Sequence, residues 1–162
     1  MGCDIHAYVE YTTWSGSEGS PWWSNLTANF GSRDYLWFGI LADVRHEGDC
    51  LYPPRGLPDG LAWETQDGAF LRADDQLVGQ DGYCSVEQAK KWGGYDPETG
   101  RVPHPDWHSH SWLTTEEFGH CIAEHMKLAD YPLEVGWLAL FTAMKTIEDN
   151  GGKARIVFWF DN

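Results

Sequence analysis

Residues 155–160 read Arg-Ile-Val-Phe-Trp-Phe. After its arginine this stretch is apolar on both faces, the pattern of a strand in the middle of a covered sheet. A second strand opens the chain. In residues 3–12, CDIHAYVEYT, Cys3, Ile5, Ala7 and Val9 fall on one face and Asp4, His6, Tyr8 and Glu10 on the other. That is period-two alternation. If the two strands are neighbours, the ends of the chain are stitched together and truncation at either end is destructive.

Working back from the last strand, Gly151-Gly152 stops a long helix running to about Asp149. Pro132 suits its first turn, and Leu133, Trp137, Leu140, Phe141, Met144 and Ile147 form its buried stripe. Before it, Thr114-x-x-Glu117 is a capping box, and Phe118, Cys121, Ile122 and Met126 carry one apolar face to about Leu128. Ser85-x-x-Gln88 is a second capping box, opening a short helix that ends near Gly93-Gly94. Residues 34–45, with Tyr35, Phe38, Leu41 and Val44 at helical spacing and Ser32 or Asp34 as cap, predict a buried helix.

Turn chemistry fills the remainder. Residues 13–32 and 94–112 read as ordered loops. Residues 46–83 hold Pro53-Pro54, several glycines and only short strand-like pieces such as Ala69 to Leu71. The predicted class is α+β: one domain over residues 1–162, with a small mixed sheet including the first and last strands, three to four helices packed on it, and long ordered loops.

The 162 residues suit one domain, since domains of about 100–150 residues are commonest. Eleven basic against 25 acidic residues give a formal charge of −14. Such a field opposes nucleic-acid duplexes and anionic membranes, and favours a metal ion, a cationic ligand or a basic protein surface, besides keeping the chain soluble. Cys3, Cys50, Cys84 and Cys121 stand singly, with no C-x-x-C pair, as expected of free thiols in a reducing compartment. No apolar run of about 18 residues is present and no signal peptide opens the sequence. The expected location is cytoplasmic.

The sharpest chemical feature is a repeated pattern, Asp4-x-His6 and Asp106-x-His108-x-His110. In extended backbone, residues i and i+2 point the same way, so each pattern presents its carboxylate and imidazoles together. A divalent transition metal, zinc or manganese, takes such ligands, and an open position would lower the pKa of bound water for hydrolysis. The Gly-Asn-His segment of calcineurin-like phosphoesterases is absent. A second reading stands beside this one: Asp106 forms a turn after Pro105, and the histidines satisfy backbone groups.

Arg33, Arg45 and Arg55 offer planar forks for phosphate, or ion pairs to Asp34, Asp43, Asp49 or Asp59. Trp14, Trp22, Trp23, Trp63, Trp92, Trp107 and Trp112 fall in or near loops, as stacking platforms or as anchors pinning loops to the core. His120 and His125 are expected to be solvated, and Cys3, next to Asp4, to point into the core.

The opening Met1-Gly2-Cys3-Asp4-Ile5-His6, the segment Arg33-Asp34-Tyr35-x-x-Phe38-Gly39-Ile40-Leu41-Ala42-x-Val44-Arg45, Arg55-Gly56-Leu57-Pro58, His108-Ser109-His110-Ser111-Trp112-Leu113-Thr114 and Val157-Phe158-Trp159-Phe160 together resemble an uncharacterised family of small proteins from bacteria and bacteriophages. The resemblance spans nearly the whole chain. It implies a cytosolic context, bacterial or phage-encoded, and no mechanism.

Two functions follow as expectations. One is a metal-dependent hydrolase of a small phosphorylated or nucleotide-like substrate, with Asp4, His6, His108 and His110 as metal ligands, Asp106 as ligand or orienter, and Arg45 or Arg55 as anion clamp. The other is a non-enzymatic acidic binder, either a phage-encoded inhibitor of a host protein or a protein that sequesters a nucleotide. The expected partner is accordingly a small-molecule ligand or a host protein.

Overall fold

The computed structural model describes residues 2–13, 22–45 and 49–162. Trp14 and parts of the 13–32 and 46–83 segments lie outside them. The elements are β1 (Asp4–Thr12), β2 (Ser24–Asn25), α1 (Tyr35–Ala42), α2 (Trp63–Ala69), β3 (Leu71–Ala73), β4 (Tyr83–Cys84), α3 (Val86–Trp92), β5 (Arg101–Val102), β6 (His108–Thr114), α4 (Thr115–Leu128), α5 (Val135–Asp149) and β7 (Lys153–Asp161). The class is α+β. The main sheet has the order β2-β1-β7-β6 with every pair antiparallel. A small second sheet, β4-β3-β5, holds the one parallel pair among the described strands, β3 with β4.

The first and last strands are neighbours, in register from Asp4 opposite Asp161 to Thr12 opposite Lys153. β7 lies between β1 and β6 and is covered on both faces, as its unbroken apolar run requires. On one face Ile5, Ala7 and Val9 join Ile156, Phe158, Phe160 and Leu113 in the main core, beneath Trp37 and Phe38 of α1, Phe118 and Cys121 of α4, and Trp137 and Met144 of α5. On the other face Tyr8 and Trp159 pack against Ala69, with Leu57, Phe70 and Trp107 around them.

Local signals placed several helices. Both capping boxes form, Ser85 with Gln88 and Thr114 with Glu117, and the Asp34 carboxylate accepts from Trp37 N–H at 3.0 Å. The last helix begins at Val135 instead of Pro132, with Glu134 in non-helical backbone just before it and making no side-chain capping bond. The segment 46–83 contributes α2, which carries neither a cap nor an apolar stripe. α2 forms because Thr65 and Ala69 bury one face and Glu10 accepts from Ala62 N–H at 2.8 Å just before the first turn. The strand-like piece begins at Leu71, since Ala69 closes the helix. The histidine segment from His108 is strand β6 and not loop, paired along β7.

Candidate functional site

β6 carries one extra residue relative to β7. His108 pairs with Phe160 and Ser111 with Phe158, so Ser109 and His110 together oppose Trp159. Ser109 absorbs the bulge at φ 53°, a left-handed conformation that costs a non-glycine residue about 1–2 kcal/mol. The extra residue sends His108 and His110 to opposite faces. His108 stacks on Phe160, on the core side, while His110 stacks on Trp159, on the other. The expectation that i and i+2 point the same way fails here, since it assumes an unbroken pleat.

His6, on β1 at the other side of β7, stacks on the same indole, with ring centroids 5.7 Å apart, matching 5.8 Å for His110. Trp159 therefore separates the two imidazoles. Asn29 accepts from Ala7 N–H through Oδ1 at 3.1 Å, which turns its amide nitrogen toward His6 Nδ1 at 3.2 Å. His6 Nε2 then donates to Asp161 Oδ2 at 2.9 Å, so the neutral tautomer carries its proton on Nε2. Both nitrogens of His6 are engaged.

Asp4 shares His6's face as expected, and both line a cavity of about 340 Å³ with Arg33. Arg33 holds Asp4 in a two-pronged pair at 2.7 and 2.6 Å, and that hydrogen bonding keeps the Asp4 carboxyl below the usual carboxylate range. Asp106 sits in the exposed turn before β6, 4.0 Å from His104. Arg55 is committed to structure: it donates to Trp112 O at 2.9 Å and to Glu117 Oε2 at 2.5 Å, and covers the Trp112 ring. Burial raises the Glu117 pKa, but Arg55 and the Thr114 cap outweigh it and leave that carboxyl below its ordinary value. Among the described residues, no group of three or more His, Cys, Asp or Glu side chains is placed to hold a metal ion.

Two of the candidates do meet. Arg45 and His108 line one cavity of about 310 Å³, together with Asp43, Val44, Ser109 and Asn162, at the end of the sheet where α1 finishes. Three non-glycine residues have positive φ among those described, Asp43, Arg45 and Ser109, and all three line this cavity. Asp43 is the left-handed cap of α1, an ordinary role for aspartate. Ser109 takes its positive φ from the bulge, while Arg45, at φ 67°, has no cap or bulge to account for it, and left-handed backbone of this kind collects at functional sites. Within the cavity wall, Ser109 Oγ is 3.0 Å from His108 Nδ1. His108 Nε2 is buried and has no hydrogen-bond partner among the described residues.

One histidine departs from the sequence reading, whereas His120, Cys3 and several tryptophans follow it. His125 is fully buried instead of solvated: its Nε2 donates to Asp34 Oδ2 at 3.1 Å, and Tyr131 donates to the other oxygen at 2.9 Å. His120 accepts from the Tyr52 hydroxyl at 2.6 Å. Cys3 packs in the core, and burial pushes its thiol pKa up against the opposing pull of Arg45, as befits a structural thiol. Several loop tryptophans act as anchors: Trp107 leans on Trp159, and Trp23 covers the Arg155 guanidinium at 3.9 Å. Trp22 and Trp63 stand exposed. No helix among the described residues is long and apolar enough to cross a membrane.

Comparison of the chain with family models, curated proteins and solved structures returns no match.

Proposed function

We propose that the protein binds a small phosphorylated or nucleotide-like molecule in the cavity lined by Arg45, His108 and Ser109. The observation that carries this reading is the coincidence of two strained residues, Arg45 and Ser109, in the wall of one cavity. A guanidinium and a hydroxyl suit phosphate oxygens, and the acceptor-only carboxylate of Asp43 suits the hydroxyl or amino groups of a nucleoside. The formal charge of −14 opposes long nucleic acids, whereas one phosphate is held by direct contacts. Calorimetric titration with nucleoside monophosphates and inorganic phosphate tests the proposal. Saturable binding that Arg45→Met abolishes supports it, and wild-type protein that binds none of these at millimolar concentration refutes it.

A second reading, hydrolysis of that ligand, is favoured by the 3.0 Å contact between Ser109 Oγ and His108 Nδ1, within the reach expected of a nucleophile and its base. In it, Ser109 Oγ attacks phosphorus, its proton passes to His108, and the leaving alkoxide takes that proton. Water then cleaves the phosphoserine and restores Ser109. Phosphatase assays on Ser109→Ala and His108→Gln, with binding measured alongside, separate catalysis from capture. The metal-dependent form of hydrolysis places the ligand elsewhere, in the cavity that Asp4 and His6 line with Arg33, and requires Asp4 to release Arg33. Elemental analysis of protein purified without chelator tests it, and metal-free protein that retains full activity rules it out.

A further inference from the structure

On the face of the sheet that carries Trp159, away from the Arg45 cavity, a smaller cavity of about 240 Å³ is lined by Tyr8, Asn29, Trp63, Glu64, Asp67 and Gly68, with Ala28 at its rim. Tyr8 is 8% exposed, yet its hydroxyl has no hydrogen-bond partner among the described residues. The ring reaches the cavity only because residue 68 is glycine: a methyl group there would collide with the Tyr8 hydroxyl. A nine-tenths-buried side chain thus brings an unpartnered hydroxyl to an open wall, where a ligand can replace solvent as its hydrogen-bond partner.

The surrounding groups define that ligand. Glu64 has no side-chain partner among the described residues, and Asp67 gives one oxygen, Oδ1, to Arg72, leaving Oδ2 facing no other described donor. The Trp63 indole is 66% exposed, although it opens a helix packed on the sheet. Two carboxylates, a phenolic oxygen and an indole form an acceptor-rich, π-lined hollow, the setting in which ammonium groups are held by hydrogen bonds and cation–π attraction. Asn29 gives its Oδ1 to Ala7 N–H and one amide N–H to His6 Nδ1, which leaves a single amide N–H among the lining groups. The volume lies below the roughly 300–1,000 Å³ of pockets for drug-sized ligands, so the occupant is no larger than a single side chain.

We propose that this cavity is a recognition site for an alkylammonium group, carried either by a free amine or by a lysine side chain of a partner. The field at Tyr8 agrees in sign: burial first, then Glu64 and Asp67, raise its hydroxyl pKa, so the phenol stays protonated and a bound cation relieves the excess negative potential.

Titration of the intact chain with 1,5-diaminopentane and with Nα-acetyl-lysine amide, followed by calorimetry and tryptophan fluorescence, tests the assignment. The neutral controls are 1-pentanol and Nα-acetyl-norleucine amide. Saturable binding of the ammonium probes, at least about tenfold tighter than of their neutral counterparts and weakened by salt, is expected. Preference for the diamine indicates a free amine as ligand, and preference for the lysine derivative indicates a protein side chain. Glu64→Gln, at an exposed position, should lower affinity about fivefold or more without changing thermal stability, and Tyr8→Phe should lower it further. Equal binding of neutral and charged probes, affinity unchanged in Glu64→Gln, or no saturable binding overturns the proposal.

Discussion

Arg155 donates from Nε to Glu10 Oε2 at 2.6 Å, with both side chains buried, Glu10 at 0% and Arg155 at 6% exposure. The remaining guanidinium nitrogens donate to Asp59 O at 3.2 Å and Gly60 O at 3.0 Å, and the second Glu10 oxygen accepts from Ala62 N–H. One ion pair thus fastens the loop before α2 to the two central strands. Burial lowers the Arg155 pKa, while Glu10 opposes that effect, so the charge is kept by its partner.

Removing one member of this pair leaves an uncompensated charge in the interior. Glu10→Gln is expected to destabilise the protein by about 3–5 kcal/mol in urea titrations. The double change Glu10→Met with Arg155→Met should recover most of the loss. A double variant as unstable as the single one would show that the pair does more than neutralise itself.

Ser109 offers a test that separates stability from function. Glycine accepts φ near +53° without the side-chain penalty, so Ser109→Gly should raise stability by about 1 kcal/mol while removing the hydroxyl from the Arg45 cavity. The expected result is a higher denaturation midpoint together with weaker ligand binding. A lower midpoint would mean that the hydroxyl contact to His108 outweighs the backbone strain.

Burial first, and the neighbouring His108 second, hold the His110 pKa below its ordinary value. The folded state therefore binds fewer protons than the unfolded state, and stability is full above the unfolded value of about 6.5 and falls as pH drops below it. His110→Gln should flatten the dependence of the denaturation midpoint on pH between roughly 7 and 5. Parallel curves for the variant and the wild type would remove His110 from the account.

Trp159 is fully buried and stacks with His6, Tyr8 and His110. Trp159→Ala should cost about 3–5 kcal/mol, measured by thermal and urea unfolding, with Trp159→Phe costing less. The alanine variant should also increase the mobility of His6 and His110, visible as broadened or shifted imidazole resonances.

How much of this was legible depends on range. The α+β class, the helices announced by Thr114/Glu117 and Ser85/Gln88, and the two long strands rest on contacts within a few residues, where periodicity and caps act. α2 escaped because its reason to be helical, burial of Thr65 and Ala69 and the hold of Glu10 on Ala62, lies outside its own sequence. Of the metal-ligand candidates, Asp4 and His6 were correctly placed on one side of a strand, since β1 is unbroken. His108 and His110 were not.

Sequence by itself determined which residues are chemically capable: the histidine-aspartate patterns, the arginines and the aromatic excess are properties of composition and spacing. Only the tertiary structure decided which of them meet. A single extra residue opposite Trp159 reversed the face of His108, Arg33 was drawn to Asp4, and Arg45 was brought to Ser109 from 64 positions away. The physical reason is that strand register and ion-pair choice are settled by packing between distant segments, where a one-residue slip exchanges the two faces of a sheet.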